Sequence, residues 1–133
     1  MGRYVKEDII TIAGTLSFSS DAVLSPAAFA VDQDDYNPTG LIVSGEFVKT
    51  VLRLSSTGAN SITGIVAPPA GKWTSLILMN VGSGNITLQN NDVGSVAANR
   101  FLMNGNTILA GEESVQIIYD QTSQRWREVA RAI

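Results

Sequence analysis

The carboxylates offer the widest choice of chemistry in this chain. Asp34-Asp35 and Glu112-Glu113 are adjacent pairs, and Asp92 follows two asparagines in the stretch NND. A glycosidase needs two carboxylates that face each other across the sugar. Neighbouring residues on an extended chain point to opposite sides, so neither pair predicts such a site.

Oxygen ligands offer a second possibility, a calcium site. Asn90, Asn91 and Asp92 could meet Asp120 in space and hold Ca²⁺ through their oxygens. Their spacing matches no EF-hand loop, and both aspartates stand beside turn residues, where aspartate commonly binds its own backbone. We therefore expect turn capping by both, an ion pair between Asp92 and Arg100, and no metal or other cofactor.

Two glycine stretches partly match phosphate-binding loops. The GSG of 82–84 resembles the start of a dinucleotide fingerprint, but it leads into NITL, a strand pattern, instead of a helix whose N-terminus could hold a pyrophosphate. In AGKWT (70–74), Trp73 stands where a P-loop needs serine or threonine, and Val66 stands where it needs glycine. We interpret both stretches as turns, the first a tight reversal between neighbouring strands.

Composition narrows the function classes further. The 133 residues contain no cysteine and no histidine, which excludes disulfides, cysteine-ligated metals and histidine-dependent catalytic triads. The net charge of −3 argues against a nucleic-acid partner, although Arg125, Arg127 and Arg131 make the C-terminal end locally basic. No apolar run approaches the ~20 residues of a membrane span, and charged residues interrupt any signal peptide. We expect a single folded domain without enzymatic activity, membrane or nucleic-acid partner.

The elements that position these residues are strands. Apolar and polar residues mostly alternate, which is typical of strands with one buried face. Seven or eight short strands at about ten-residue spacing predict an all-β, jelly-roll-like antiparallel β-sandwich. The clearest strands are 47–54, 62–66, 73–81, 85–90, 114–120 and 125–130.

Within these strands the pattern predicts individual inward side chains. Val48, Leu52 and Leu54 share one face of 47–54, and Trp126 is expected to anchor the core of the last hairpin. The nearly continuous apolar run 73–81 predicts a central strand covered on both faces. Further inward positions are Ile86, Leu88, Val115, Ile117 and Tyr119.

Turn signals predict how some strands connect. Asn104-Gly105 is a strong hairpin signal, so RFLM (100–103) and NTIL (106–109) are expected to pair. Gln121–Gln124 is expected to form the turn of the last hairpin. Trp73 follows a Pro-Pro-Ala-Gly loop and fits either a core position or a ligand platform.

The first third of the chain lacks the dense strand pattern of the rest. We predict an extended N-terminal arm at 1–45 and a β-sandwich domain at 46–133. The apolar pieces DIITIAGTLSF (8–18) and AVLSPAAFAV (22–31) would be sticky strands if they were exposed. They are expected to add to another subunit's sheet or to lie on a larger surface; the alternative is a hairpin of 9–18 inside the same domain.

Residues 32–129 resemble a β-rich module of tailed-bacteriophage structural proteins, found in tail-fibre, head-fibre and capsid-decoration proteins. The motifs that carry the resemblance are SITG (61–64), LMNVGSGNITLQNND (78–92), AANRF (97–101) and YD....RW (119–126). The resemblance implies a jelly-roll-like sandwich, usually trimeric, with a role in the virion and no catalytic residues. The chain has no shaft or stalk, which fits a compact protein on the virion surface better than a long fibre.

Two functions follow from this resemblance. The first is a homotrimeric capsid decoration or head-surface protein that docks on other virion proteins, the major capsid protein or tail components, through its N-terminal segment. The second is a receptor- or carbohydrate-binding tip of a tail fibre, with a host surface glycan as its ligand. Both place the protein in the virion, assembled in the host cytoplasm, and the choice between head and tail stays open.

Overall fold

Short strands make up most of the regular structure of the computed structural model, which describes residues 19–132. Its two helices are single 3-10 turns, Ser20–Ala22 and Ala97–Asn99, and no helix in this range is long and apolar enough to cross a membrane. The strands are β1 (Val23–Leu24), β2 (Ile42–Val43), β3 (Glu46–Phe47), β4 (Val51–Leu54), β5 (Asn60–Ile62), β6 (Ser75–Asn80), β7 (Ile86–Leu88), β8 (Thr107–Leu109), β9 (Ser114–Asp120) and β10 (Arg125–Ala132).

The strands form two larger sheets and one short hairpin. The large sheet has the order β1-β4-β6-β9-β10, the second sheet has the order β5-β7-β8, and β2 pairs with β3. From β4 to β7 the chain alternates between the two larger sheets. The side chains that point inward from both sheets form one hydrophobic core, as in a sandwich.

This alternation places successive passes of the chain side by side. Leu52 of β4 pairs in parallel with Leu24 on one side and with Leu78 on the other. In the second sheet, Ile62 of β5 pairs in parallel with Leu88 of β7. Parallel neighbours need a crossover connection, and here each crossover is the excursion through the opposite sheet.

The core follows from the two-residue period of the strands. In β6 the buried positions are Leu76, Leu78 and Asn80, and in β9 they are Val115, Ile117 and Tyr119. The remaining core residues are Phe29, Tyr36, Leu41, Leu52, Leu54, Ile62, Ile65, Ile86, Leu88, Phe101, Leu109 and Trp126. The inward positions predicted for 85–90, 114–120 and Trp126 are confirmed.

The all-β class is confirmed, with more varied pairing than expected. β6-β9-β10 and β7-β8 are antiparallel, whereas β1-β4, β4-β6 and β5-β7 are parallel. An entirely antiparallel sandwich is therefore a wrong prediction, because chain passes that switch sheets return in the same direction. The jelly-roll connectivity remains a prediction.

Two strand predictions need correction. The strand at 47–54 begins only at Val51; Phe47 ends the β2–β3 hairpin, and the predicted inward Val48 is exposed. The strand at 73–81 is central, between β4 and β9, but residues 19–132 cover only one of its faces, since Met79 is exposed. Its other face, also apolar, lies on the side of the large sheet that these residues leave uncovered.

The hairpin predicted around Asn104-Gly105 is also wrong. Gly105 does adopt the expected positive φ, but Phe101 forms bridges with Asn90 and Trp126. β8, which follows Gly105, pairs with β7 instead. Core burial of Phe101 against the last hairpin outweighs the local turn signal.

The predicted division at residue 45 does not coincide with a break in the core. Phe29, Tyr36 and Leu41 are buried with the rest of the core, and β1 extends the large sheet by pairing with β4. The segment 19–45 is largely irregular, as expected, yet it packs as part of the same domain. The predicted hairpin of 9–18 lies outside the described residues.

Candidate functional site

The acidic loop DQDD (32–35) meets the 3-10 turn at 97–99 in a network of hydrogen bonds. Thr63 Oγ1 donates to Asp34 Oδ1 over 2.6 Å and lies 2.7 Å from Ser95 Oγ. Ser95 Oγ accepts the Asp35 N–H at 2.8 Å, and Asp35 Oδ1 accepts the Asn99 side-chain amide at 2.9 Å. Because Ser95 and Thr63 are buried, these hydroxyls hold the loop in place and are not open to a substrate.

The predicted calcium ligands serve their own turns. Asp92 Oδ1 accepts the Gly94 N–H at 2.7 Å, and Asp120 accepts the Thr122 N–H and the Ser123 hydroxyl, each at 2.9 Å. The Ser123 hydroxyl, the main contributor, lowers the pKa of Asp120 below its usual value. Turn capping by Asp92 and Asp120 is confirmed, and residues 19–132 hold no group of three carboxylates suited to a metal.

Arg100, the predicted ion-pair partner of Asp92, binds a different residue. Arg100 donates from Nε to the Ser95 carbonyl oxygen at 2.9 Å, so the predicted Asp92–Arg100 ion pair is wrong. Asn90, the first residue of NND, accepts the Met103 N–H at 2.8 Å through its side-chain oxygen. These polar groups are used to connect neighbouring loops.

The glycine-rich stretch 82–84 is organised by a buried asparagine. Asn80 donates to the carbonyl oxygens of Gly84 and Leu109, both at 2.8 Å, and accepts the Gly82 N–H at 3.0 Å. Gly84 itself packs against the main chain of Ser56 and Gly58, which leaves no space for a side chain. The stretch connects strands of two different sheets, so it is a crossover and not the predicted reversal between paired strands.

The other two motifs are turns as well. In 70–74, Gly71 has a positive φ, and Gln121 Nε2 donates to the carbonyl oxygens of Pro69 and Lys72. In the second acidic pair, Glu113 Oε1 accepts the Ala110 N–H at 2.8 Å. The interpretation of 70–74 as a turn is confirmed, and the structure places Glu112-Glu113 in a turn as well.

A concave surface lies where the edges of the two larger sheets meet. β8 ends the second sheet and β10 ends the large one. Between them runs a groove of about 730 Å³, called the β8–β10 groove here. It is lined by Leu102, Met103, Asn104, Thr107, Arg127, Glu128 and Arg131.

A fixed polar network forms part of the groove. Glu128 Oε1 accepts the Thr107 hydroxyl at 2.7 Å, and Arg131 donates to both carboxylate oxygens of Glu128 at 3.0 and 3.2 Å. Burial alone raises the pKa of Glu128, but the hydrogen bonds from Arg131 and Thr107 and the Arg131 charge outweigh it and hold this pKa below its usual value. Glu128 is therefore an anion that orients Arg131.

The charge of the groove is positive overall. Glu128 balances Arg131, whereas the ion-pair contact of Arg127 within residues 19–132 is a long, exposed one of 3.9 Å with Asp120. Exposed ion pairs at such distances contribute little, so the Arg127 guanidinium remains available to another anion. The groove combines this cation with the apolar side chains of Leu102 and Met103.

Sequence reasoning missed this groove because its residues come from separate stretches. One signal was present: Glu128 follows Trp126 by two residues and so falls on the inward face of the predicted strand. A charged residue that points inward is one of the devices that protect edge strands. The same reasoning identifies β10 as an edge.

Trp73 lies at a different place on the surface. Its side chain is 57% exposed, next to the turn that Gln121 holds. The choice left open by the sequence is thus settled against a core position. The exposed indole presents an apolar ring face and an N–H donor at the surface.

Comparisons of this chain with protein-family models, with curated proteins and with solved structures gave no match.

Proposed function

We propose that this chain is a structural protein of a bacteriophage virion, a homotrimeric capsid decoration or head-surface protein. The observation that carries the proposal is the open edge of β10 beside the β8–β10 groove. An uncovered edge strand offers main-chain groups to another chain, and apolar and charged side chains beside it give such pairing specificity. Self-assembly and docking are what this surface is suited to.

The uncovered face of the large sheet adds to this support. Val51, Ile77 and Ile118 are half-buried there, and Met79 is exposed. Arg53 and Arg127 are the charged neighbours of Met79 and Ile118 across the strands. Methionine and arginine are enriched at protein–protein interfaces, so this face is suited to burial between subunits.

Light scattering after size exclusion at micromolar concentration tests self-assembly. A trimer is expected to have three times the chain mass of 14.1 kDa. A Met79→Glu variant places a charge on the uncovered face and is expected to shift the mass toward the monomer, whereas Asn37→Asp in an exposed loop outside the groove serves as the surface-charge control. A wild-type mass near 14.1 kDa contradicts the trimer.

The role in the virion needs a separate test. Cryo-electron microscopy of intact phage particles that carry this protein should show density for it on the head, at regular positions among the major capsid subunits. Density at the distal end of a tail fibre would instead favour the receptor-binding alternative. Particles without any such density contradict both roles.

The exposed Trp73 is the specific observation in favour of a carbohydrate-binding tip. A glycan array probed with the wild-type protein and with Trp73→Ala tests this second function. Glycan binding that disappears in Trp73→Ala, with unchanged thermal stability, supports it. Equal signals for both proteins remove Trp73 from any sugar site.

A further inference from the structure

We propose that the outer edge of β10 and the β8–β10 groove receive residues 8–13 of a neighbouring copy of this chain as an added strand. The inference rests on the self-assembly part of the proposed function. It specifies which surface accepts the N-terminal segment and which subunit supplies it.

The acceptor is a strand edge whose outer side is only partly used. Near its start, Trp126 exchanges main-chain hydrogen bonds with Arg100 and Leu102, at 3.0 and 2.8 Å. From Arg127 to Ala132, no main-chain hydrogen bond joins the outer side of β10 to another part of residues 19–132. This free length of six residues matches the length of DIITIA.

The segment 8–13 has the pattern that an added strand needs. Ile10 and Ile12 fall on one face of an extended chain, while Ile9, Thr11 and Ala13 fall on the other. One face can meet Leu102 and Met103 in the groove, and the other can meet the exposed Val129.

Charge complementarity supports the same occupant. Asp8 begins the segment and Glu7 precedes it, and the groove contributes the guanidinium of Arg127, which residues 19–132 leave available. β10 also has a register irregularity between Glu128 and Ala130. Such irregularities and charges discourage pairing with arbitrary strands, so an acidic partner strand is selected over a neutral or basic one.

The topology favours a neighbouring copy over the same chain. The described chain begins at Ser19, shortly before β1, which is the edge of the large sheet opposite β10. The four strand spacings between these edges amount to roughly 19 Å, so the N-terminal segment is attached on the side of the molecule away from its own β10 edge. Donation from the β1 side of one copy to the β10 side of the next is a head-to-tail contact, which can close into a ring.

Cysteine cross-linking tests the inference cleanly, because the chain has no cysteine of its own. One variant carries Thr11→Cys and a second carries Ala130→Cys. Two further variants carry Ile9→Cys or Ala13→Cys in place of Thr11→Cys, and they scan the register. The two variants are mixed, allowed to exchange subunits and oxidised. We expect a disulfide-linked product of two chains, and a much weaker product when Ser123→Cys, on the turn before β10, replaces Ala130→Cys.

Charge exchange provides a second test. Asp8→Lys and Arg127→Asp are each expected to weaken self-association by about tenfold or more, and the two together are expected to restore most of it. Recovery in the double variant separates a direct contact from a general loss of folding, which circular dichroism monitors in parallel. Weakening without recovery overturns the contact between Asp8 and Arg127 on which the charge argument rests.

The outcomes separate this inference from the proposed function. A wild-type oligomer that forms no cross-link between mixed chains at any of the three positions, and that persists after deletion of residues 1–18, overturns the strand donation and leaves self-assembly standing. If a chain that carries both cysteines cross-links only within itself, the segment pairs with β10 of its own subunit, and donation to a neighbouring copy is overturned. A monomeric wild type removes the trimer and the donation together.

Discussion

Trp126 is the largest fully buried side chain among the described residues. It is fully buried, its ring lies 5.2 Å from Tyr119 and 6.1 Å from Phe47, and its Nε1 donates to the Ile65 carbonyl oxygen at 2.9 Å. Trp126→Ala is expected to lower the free energy of unfolding by about 3–5 kcal/mol, measured by urea denaturation. Trp126→Phe keeps an aromatic ring and should cost less.

Retention of wild-type stability in Trp126→Ala would contradict the buried position of this ring. Trp126→Phe removes the indole N–H together with part of the ring volume, so the Ile65 carbonyl oxygen loses its donor in a buried site. That loss is expected to amount to about 1–3 kcal/mol. The remainder of the effect reports the cavity left by the ring.

Glu128 links stability to pH through its lowered pKa. A carboxyl whose pKa is lower in the folded state stabilises the protein above its unfolded pKa of about 4.3 and loses that contribution as the pH falls through the folded value. Wild type is thus expected to be more stable than Glu128→Gln at pH 7, by less than about 1 kcal/mol since the pair is partly exposed. The gap should close below pH 4.

Urea denaturation of both proteins between pH 3 and pH 7 measures this gap. Glu46→Gln, on the exposed strand β3, is the matched control for loss of a surface carboxylate. A gap between wild type and Glu128→Gln that stays constant over the whole range would mean that the Arg131–Glu128–Thr107 network does not hold in solution.

At the scale of single residues, the sequence predicts apolar burial well and polar burial poorly. Alternation alone placed Ile86, Leu88 and Trp126 inward, because the two-residue period is a property of any strand. It had no means to identify Asn80 or Asn99, whose burial depends on carbonyl and N–H partners supplied by distant segments.

At the scale of elements, local pairings were predictable and distant ones were not. β9 and β10 pair across the four-residue turn Gln121–Gln124, as the sequence indicated. The parallel pairs β1-β4 and β4-β6 join strands that are far apart in sequence, and no turn residue encodes them. The false hairpin at 100–109 has the same origin, since a turn signal cannot report the competing contact between Phe101 and Trp126.

The crossover between β6 and β7 provides a test at this scale. A methyl group on Gly84 would lie 2.8 Å from the Ser56 carbonyl oxygen and still closer to that of Gly58, so one of the two loops must move. Gly84→Ala is expected to cost about 1–3 kcal/mol in the free energy of unfolding, the usual range for overpacking. Gly58→Ala, which meets nothing within 4 Å, is the matched control.

Thermal melts of Gly84→Ala and Gly58→Ala measure this difference in stability. Gly58→Ala should melt within a few degrees of wild type, because its methyl group has space. Equal melting temperatures for both variants would contradict the close approach of the two loops, and GSG would then be an ordinary flexible turn.

At the scale of the whole molecule, folding is expected to need no metal ion. The oxygens of Asp92 and Asp120 are occupied by their own turns, and residues 19–132 contain no cluster of three potential ligands. Melting curves recorded with and without a strong chelator are expected to coincide. A fall of many degrees that calcium restores would place a metal at these turns.

The order of strands in the large sheet also has a consequence for synthesis on the ribosome. β6 occupies the centre of that sheet, but its antiparallel neighbour β9 is translated only after both β7 and β8. Chain emerging N-terminus first therefore presents an unfinished sheet until β9 and β10 have left the exit tunnel. The β9–β10 hairpin completes the sheet, so nascent chains that lack it leave β6 as an open edge and are exposed to chaperones and to aggregation.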